Sequence, residues 1–128
     1  MSRIVLDASA MLAVLGEEPG SEKLPVEMLA DAVGSAVNVA EVHTKLVSRG
    51  GDVHEAWEDA LSAVGDIAPF TAEHARIAGS LVTQTRSPGL SLGDRACLAL
   101  GIVLKAPVYT TDKSWKNLNV GVRILVIR

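Results

Sequence analysis

The chain has 128 residues and a formal net charge of −3, with 48% hydrophobic and 21% charged residues. This composition excludes an intrinsically disordered chain, and the length predicts a single domain that spans residues 1–128. A single cysteine excludes an internal disulfide framework and a cysteine-based zinc site, and it favours a cytoplasmic protein. Because no apolar run reaches the ~18 residues of a membrane-spanning helix, we expect no membrane association.

Short apolar runs alternate with amphipathic segments along the chain. The first strand is expected at Ile4–Leu6 and ends at Asp7, and a short helix over Ala8–Leu15 follows and ends at Gly16. The predicted strands are, in chain order, Ile4–Leu6, 35–37, 67–70, 107–110 and 123–127. The predicted helices are Ala8–Leu15, 20–33 with a break or a helix start near Pro25, 38–49, 53–64, 72–85 and 91–105.

The alternation of strands and helices predicts the fold class. It favours parallel strands joined by right-handed crossovers, and therefore an α/β protein, a three-layer α/β/α sandwich around a mostly parallel sheet. In open sheets of this kind, binding sites form outside the carboxyl ends of the strands. The last predicted helix is apolar almost all round over residues 96–104, so we expect it to be covered on more than one side.

Four acidic residues are predicted to meet at the carboxyl edge of the sheet. Asp7 ends the first strand and Asp112 follows the fourth, while Glu41 and Asp94 lie in the first turns of two helices. Carboxylates at close range disfavour one another's ionisation, and a divalent cation removes that repulsion. Because carboxylate oxygens select Mg²⁺ or Mn²⁺ over zinc, the cluster predicts metal-dependent hydrolysis of a phosphodiester.

Each of these acids also has a structural interpretation. Two pairs have the spacing of a helix capping box, namely Asn38 with Glu41 and Ser91 with Asp94. Asp112 alone is typical of a turn. Asp7 is harder to explain in this way, because an acid that closes a buried apolar strand must be paired, ligated or exposed at the edge. A carboxylate that caps a helix can still face a site, so both interpretations stay open.

Segments around these acids resemble the PIN-domain ribonucleases, and within them the VapC toxins of bacterial type II toxin–antitoxin pairs. The segments are residues 4–10, 37–42, 91–99 and 106–112. The likeness covers the whole chain in order, spacing and length. It implies a five-stranded sheet of order 3-2-1-4-5. It also implies a Mg²⁺- or Mn²⁺-dependent endoribonuclease that cuts transfer or ribosomal RNA and so inhibits translation and growth.

The resemblance also implies site residues and partners. The matched residues are Asp7, Glu41, Asp94 and Asp112 for the catalytic and metal-binding quartet, and Ser9, Asn38 and Thr110 for supporting positions. A small VapB-like antitoxin is expected to cover the active-site groove with its C-terminal segment, and the toxin is expected to form a homodimer. Both contacts would account for the high apolar content of so short a chain.

The charge balance bears on RNA binding. A net charge of −3 argues against a general nucleic-acid binder, but the rest of the chain carries +1 when the four acids of the proposed cation site are left out of the count. The residues expected to contact RNA beside the site are Arg95, Lys113, Lys116 and Trp115. Trp115 is equally interpreted as a packing residue. The alternative function is a non-cleaving module that binds RNA or the ribosome and keeps only a vestigial metal site.

Overall fold

The computed structural model describes residues 2–128. The strands are β1 (Ile4–Leu6), β2 (Ala32–Ser35), β3 (Asp66–Ala68), β4 (Val108–Thr110) and β5 (Ile124–Val126). The α-helices are α1 (Ala8–Leu15), α2 (Val26–Leu29), α3 (Ala36–Ser48), α4 (Val53–Ser62), α5 (Ala72–Ser80) and α6 (Leu92–Leu104). Single 3₁₀ turns lie at Ser21–Lys23, Leu81–Thr83 and Lys113–Trp115. No helix among these residues is long and apolar enough to cross a membrane.

The five strands pair in parallel in the order β3-β2-β1-β4-β5, which confirms the expected sheet. The central strand β1 lies between β2 and β4, with Leu6 in register with Tyr109. The residues that follow β1 and β4 therefore lie side by side at the carboxyl edge of the sheet. This pairing brings Asp7 close to Thr110, although 103 residues separate them in the sequence.

Side chains of β1 alternate between the two faces of the sheet. Ile4 and Leu6 belong to the core that also contains side chains of α1, α3 and α4, whereas Val5 belongs to the core that contains side chains of α6. Both faces are covered, so the predicted three-layer sandwich is confirmed. Residues 96–101 of α6 are all buried within this chain, so packing inside one chain explains the apolar character of that part of the helix.

The region from residue 20 to residue 35 differs from the prediction. Helix α2 starts directly after Pro25, which confirms a helix start near that residue, but α2 has only four residues and the expected helix over 20–33 is wrong. The segment Ala32–Ser35 is instead the buried strand β2, which pairs with both β1 and β3. Burial requires each peptide group to find a partner, and the neighbouring strands supply those partners.

The start of α3 also differs from the prediction. The helix begins at Ala36, because the Ser35 hydroxyl accepts a hydrogen bond from the Val37 amide at 3.2 Å. Asn38 therefore lies inside the helix, and the capping box expected between Asn38 and Glu41 is wrong. The capping box between Ser91 and Asp94 is confirmed at the start of α6. Helix α5 ends at Ser80, before the expected residue 85, and a 3₁₀ turn follows.

Candidate active site

The Asp7 carboxylate is held by three hydrogen-bond donors at the carboxyl edge of the sheet. Its Oδ1 caps α1 by accepting the Ala10 amide at 2.8 Å, and the same atom accepts the Ser9 hydroxyl at 2.7 Å. Its Oδ2 accepts the hydroxyl of Thr110, the last residue of β4, at 2.6 Å. Both carboxylate oxygens are therefore fixed by neighbours from two adjacent strand ends.

Burial changes the acidity of this group. Asp7 is only 4% exposed, and burial raises its pKa from 3.8 to about 6. The hydrogen bonds from Thr110, Ser9 and Ala10 lower the pKa in part, because they stabilise the ionised form, whereas the negative charge of Asp94 raises it. The site therefore holds a carboxylate whose negative charge is costly without a compensating cation.

The loop after β4 extends this network to Asp112. The Thr110 hydroxyl accepts the Asp112 amide at 3.1 Å, and the Ser9 hydroxyl accepts the Thr111 amide at 3.0 Å. The exposed Asp112 carboxylate accepts both the amide and the hydroxyl of Ser114 through Oδ1, at 2.9 and 2.7 Å. Thr110 and Ser9 thus link the buried acid to the exposed one.

Helices α3 and α6 supply the other two acids. The Asn38 amide nitrogen donates to Glu41 Oε1 and to the Gly93 carbonyl oxygen, both at 2.9 Å. Asp94 accepts the Ser91 amide through Oδ2 at 3.0 Å, and its own amide donates to the Ser91 hydroxyl at 3.1 Å. Asp94 is therefore both a helix cap and a residue of the site.

All four predicted acids line one pocket of about 270 Å³. The other side chains that line it are Ala8, Ser9, Leu12, Lys45 and Trp115. Within residues 2–128, ion pairs shorter than 4 Å join Arg3 to Asp66 and Arg128 to Glu18, so none of the four acids has a basic partner at that distance. The four acids that were predicted to converge therefore line one pocket, and none of them forms an ion pair within 4 Å among the described residues.

The donor set fits a hard divalent cation, but it is not gathered into a closed coordination site. Across residues 2–128, no three His, Cys, Asp or Glu side chains are arranged to hold one metal ion. Local hydrogen bonds hold Glu41, Asp94 and Asp112 in their positions, and like charges favour separation. Oxygen-only donors, with one of them buried, are the ligands that Mg²⁺ and Mn²⁺ prefer.

The four predicted RNA-contacting residues lie in different environments. Lys113 and Lys116 are exposed just after Asp112, at the rim of the site. Arg95 is half-buried and donates to the Ala78 carbonyl oxygen at 2.7 Å, so its guanidinium ties α6 to α5 and does not line the acidic pocket. Trp115 is 1% exposed and packs in the core beneath the site, which favours the packing interpretation.

Two further residues belong to the site: Lys45, whose spacing predicted that it shares a helix face with Glu41 as a phosphate contact or an ion-pair partner, and Gly93, which sequence reasoning missed. Lys45 lines the pocket one turn after Glu41, and it is the basic side chain among the pocket residues. Gly93 lies against the Glu41 carboxylate, so that a Cβ atom at this position would be 2.6 Å from Glu41 Cδ. Gly93 could have been found in the sequence, because it is a glycine inside a predicted helix and lies one residue before a site acid.

Comparison with known proteins gives a family and several similar structures. The family model described as PIN domain matches residues 4–120. VapBC2 from Rickettsia felis, bound to a DNA fragment from its promoter, is 20% identical with a TM-score of 0.73, covering 95% of this chain and 96% of that one. A toxin–antitoxin complex from Klebsiella pneumoniae is 13% identical with a TM-score of 0.76 and 98% coverage of both chains.

A third similar structure is VapC20 from Mycobacterium tuberculosis, described as a sarcin–ricin loop cleaving toxin. It is 20% identical, with a TM-score of 0.73, covering 94% of this chain and 98% of that one. At these identities, the likeness to solved structures shows the shared fold. No curated protein matched the chain.

Proposed function

The chain belongs to the PIN-domain family, and from that premise we propose that it is a divalent-metal-dependent endoribonuclease, the toxin of a type II toxin–antitoxin pair. The observation that carries the proposal is the pocket lined by Asp7, Glu41, Asp94 and Asp112, whose carboxylates have no basic partner within 4 Å among residues 2–128. Such a pocket suits a divalent cation, which can in turn hold the anionic phosphate of a phosphodiester.

The proposed site would hold Mg²⁺ or Mn²⁺ through these four carboxylates. When bound, such an ion would lower the pKa of a water molecule beside it and would offset the negative charge of the phosphate under attack. Asp7 provides a fixed oxygen pair, because Thr110, Ser9 and the Ala10 amide set its orientation. A site that is ordered before its ligand arrives loses less entropy on binding.

The chain's basic residues have a separate role in the proposal. Lys45 lines the pocket, and Lys113 and Lys116 are exposed beside Asp112, so all three can attract an RNA backbone toward the acids. Contacts from lysine side chains to phosphate oxygens position a nucleic acid without reading its sequence. The substrate we propose is transfer RNA or ribosomal RNA.

The antitoxin and the homodimer are supported by two kinds of observation. Similar structures include toxin–antitoxin complexes from Rickettsia felis and Klebsiella pneumoniae. In this chain, Val53, Trp57 and Leu61 are large apolar side chains that stay exposed at i, i+4 and i+8 of α4. An exposed apolar stripe of this kind supports a protein partner on that face.

Cleavage of total cellular RNA tests the proposal. Purified protein, separated from any antitoxin, is incubated with RNA in Mg²⁺, in Mn²⁺ and in chelator. We expect discrete fragments that need the metal and that decrease at least about 100-fold in Asp7→Asn and in Asp94→Asn, because each variant removes one carboxylate charge from the site. Asp59→Asn, at an exposed position of α4 outside the acidic pocket, is the matched control and should cleave normally.

The same experiment separates the nuclease from the non-cleaving binder. Folded protein that retains RNA on a filter but gives no fragments under any condition would favour the binder. Fragments that persist in both Asp variants would contradict the site itself. Circular dichroism of each variant establishes that the protein used is folded.

A further inference from the structure

Gly93 occupies the second position of α6, where the helix meets α3. A Cβ atom built there would have the Glu41 carboxylate as its three nearest neighbours, with Cδ and Oε1 both at 2.6 Å. The carboxylate therefore lies flat against the bare Cα of Gly93. Real Cβ atoms essentially never come this close to another atom, so any larger residue at position 93 would displace the Glu41 carboxylate.

Asn38 fixes the same carboxylate from the other side. Its side-chain nitrogen donates both to Glu41 Oε1 and to the Gly93 carbonyl oxygen at 2.9 Å. Both partners are acceptors, so the orientation of the amide is unambiguous. Asn38 is 1% exposed, and its amide therefore joins α3 to α6 out of solvent. Together, Gly93 and Asn38 form a seat for the Glu41 carboxylate, which we call the Glu41 seat.

We propose that Gly93 is a positioning residue for Glu41: the absence of a side chain lets the α3 acid lie against α6, next to Asp94, where Asn38 holds it. The inference rests on the proposed function, because it assigns Glu41 to the cation site. Its test is a binding measurement that does not require cleavage.

The backbone gives no other reason for a glycine here. Gly93 lies within an α-helix and does not have the positive φ that favours glycine at Gly20, Gly50, Gly89 and Gly121. Alanine is preferred over glycine in a helix. The three atoms nearest to the new methyl group all belong to the end of the flexible, exposed Glu41 side chain. These closest contacts are therefore relieved once Glu41 moves away.

The test compares Mn²⁺ affinity with thermal stability. Isothermal titration calorimetry with Mn²⁺ is run on the full chain and on Gly93→Ala. We expect Gly93→Ala to melt at the same or a higher temperature and to bind Mn²⁺ at least about tenfold more weakly, which is the scale of a displaced site residue. Unchanged Mn²⁺ affinity in a folded Gly93→Ala protein would overturn the proposal.

Two other helical glycines are matched controls. A Cβ at Gly79 in α5 would have no neighbour within 4 Å, so Gly79→Ala should keep the Mn²⁺ affinity and melt at the same or a higher temperature. A Cβ at Gly101 in α6 would lie 2.5 Å from Val108 Cγ2, in the core. Gly101→Ala should therefore lower the melting temperature while the folded protein retains its Mn²⁺ affinity.

A double-mutant cycle decides whether the effect passes through Glu41. Glu41→Asp withdraws the carboxylate by one methylene, and in that background Gly93→Ala should reduce Mn²⁺ affinity by less than about twofold. An equal loss in both backgrounds would show a general disturbance of α6 and would overturn the proposal. A full-length wild-type protein that binds no Mn²⁺ overturns it too. If the protein binds Mn²⁺ but does not cleave RNA, only the proposed function is contradicted. The Mn²⁺ affinities of the variants then still decide the role of Gly93.

Discussion

The two sides of the acidic pocket hold their carboxylates in different ways. Asp7 is 4% exposed and accepts three hydrogen bonds, from Ala10, Ser9 and Thr110. Glu41 is exposed at the residue level and accepts one hydrogen bond, from Asn38. The position of Asp7 is set by the ends of two paired strands and by the cap of α1, whereas that of Glu41 depends on contact between two helices.

This difference separates a rigid half of the pocket from an adjustable half. Burial makes Asp7 costly to ionise, so the rigid half destabilises the protein when no cation is present. Glu41 is exposed, and only the Asn38 hydrogen bond and the contact with Gly93 set its position, so a substitution there can displace its carboxylate at little cost in stability. Changes around Asp7 should therefore affect both stability and activity, whereas changes on the exposed side should have little effect on stability.

The largest expected effect is a gain of stability in Asp7→Asn without metal. The pKa of Asp7 is about 6 in the folded protein and 3.8 when unfolded, so the folded state binds more protons between these values. Its contribution to the free energy of unfolding therefore falls as pH rises from about 4 to about 7, by roughly 2–3 kcal/mol. Urea unfolding in chelator, at pH 4 and at pH 7.5, measures this difference.

Asp7→Asn should be more stable than the wild type at pH 7.5 and similar to it at pH 4. Subtracting the free energy of unfolding of the wild type from that of the variant at each pH cancels the contributions of all other titrating groups. A difference that does not change with pH, or a less stable variant at pH 7.5, would contradict the assignment of a costly charge to Asp7.

A smaller effect is expected for Thr110→Val, which removes a fully buried donor to Asp7 Oδ2 and keeps the side-chain shape. Loss of this hydrogen bond raises the pKa of Asp7 further and frees its carboxylate to rotate. We expect RNA cleavage and Mn²⁺ affinity to fall about tenfold. The neighbouring Thr111→Val is the control, because only the main-chain amide of Thr111 bonds to Ser9; equal losses in both variants would contradict the prediction.

The smallest effect is expected for Ser114→Ala, on the exposed side. The variant removes the hydroxyl that donates to Asp112 Oδ1 at 2.7 Å, but the Ser114 amide still donates to the same atom at 2.9 Å. Solvent replaces an exposed hydrogen bond with little loss. Cleavage should fall less than about threefold in initial-rate measurements, and a loss as large as that of Thr110→Val would erase the distinction between the two sides.

The rigid half of the site could be predicted from the sequence because its signals are local. The run Ile4–Leu6 predicted a buried strand, and an acid directly after it has to lie at the sheet edge. The spacing of Ser91 and Asp94 likewise predicted the capping box that starts α6. In both places, the residues next to the acid in the sequence indicate which element it follows or caps, and therefore where it lies.

The adjustable half could not be predicted in the same way, because its contacts join distant segments. Asn38 had the spacing of a helix cap, but Ser35 caps α3, and Asn38 bridges to α6 across 55 residues. Arg95 follows a site acid, yet its guanidinium bonds to the Ala78 carbonyl oxygen. The space that Gly93 leaves for Glu41 becomes visible only when α3 and α6 are packed together.

A crystal structure of the protein soaked in Mn²⁺ tests the central claim most directly, because anomalous scattering locates the ion without reference to activity. We expect an anomalous peak in the pocket, with Asp7 and Asp94 in direct contact with the ion and Glu41 beside it, still in the Glu41 seat. A wild-type crystal with no peak in the pocket at saturating Mn²⁺, or with a peak bound only to groups outside it, would contradict the account.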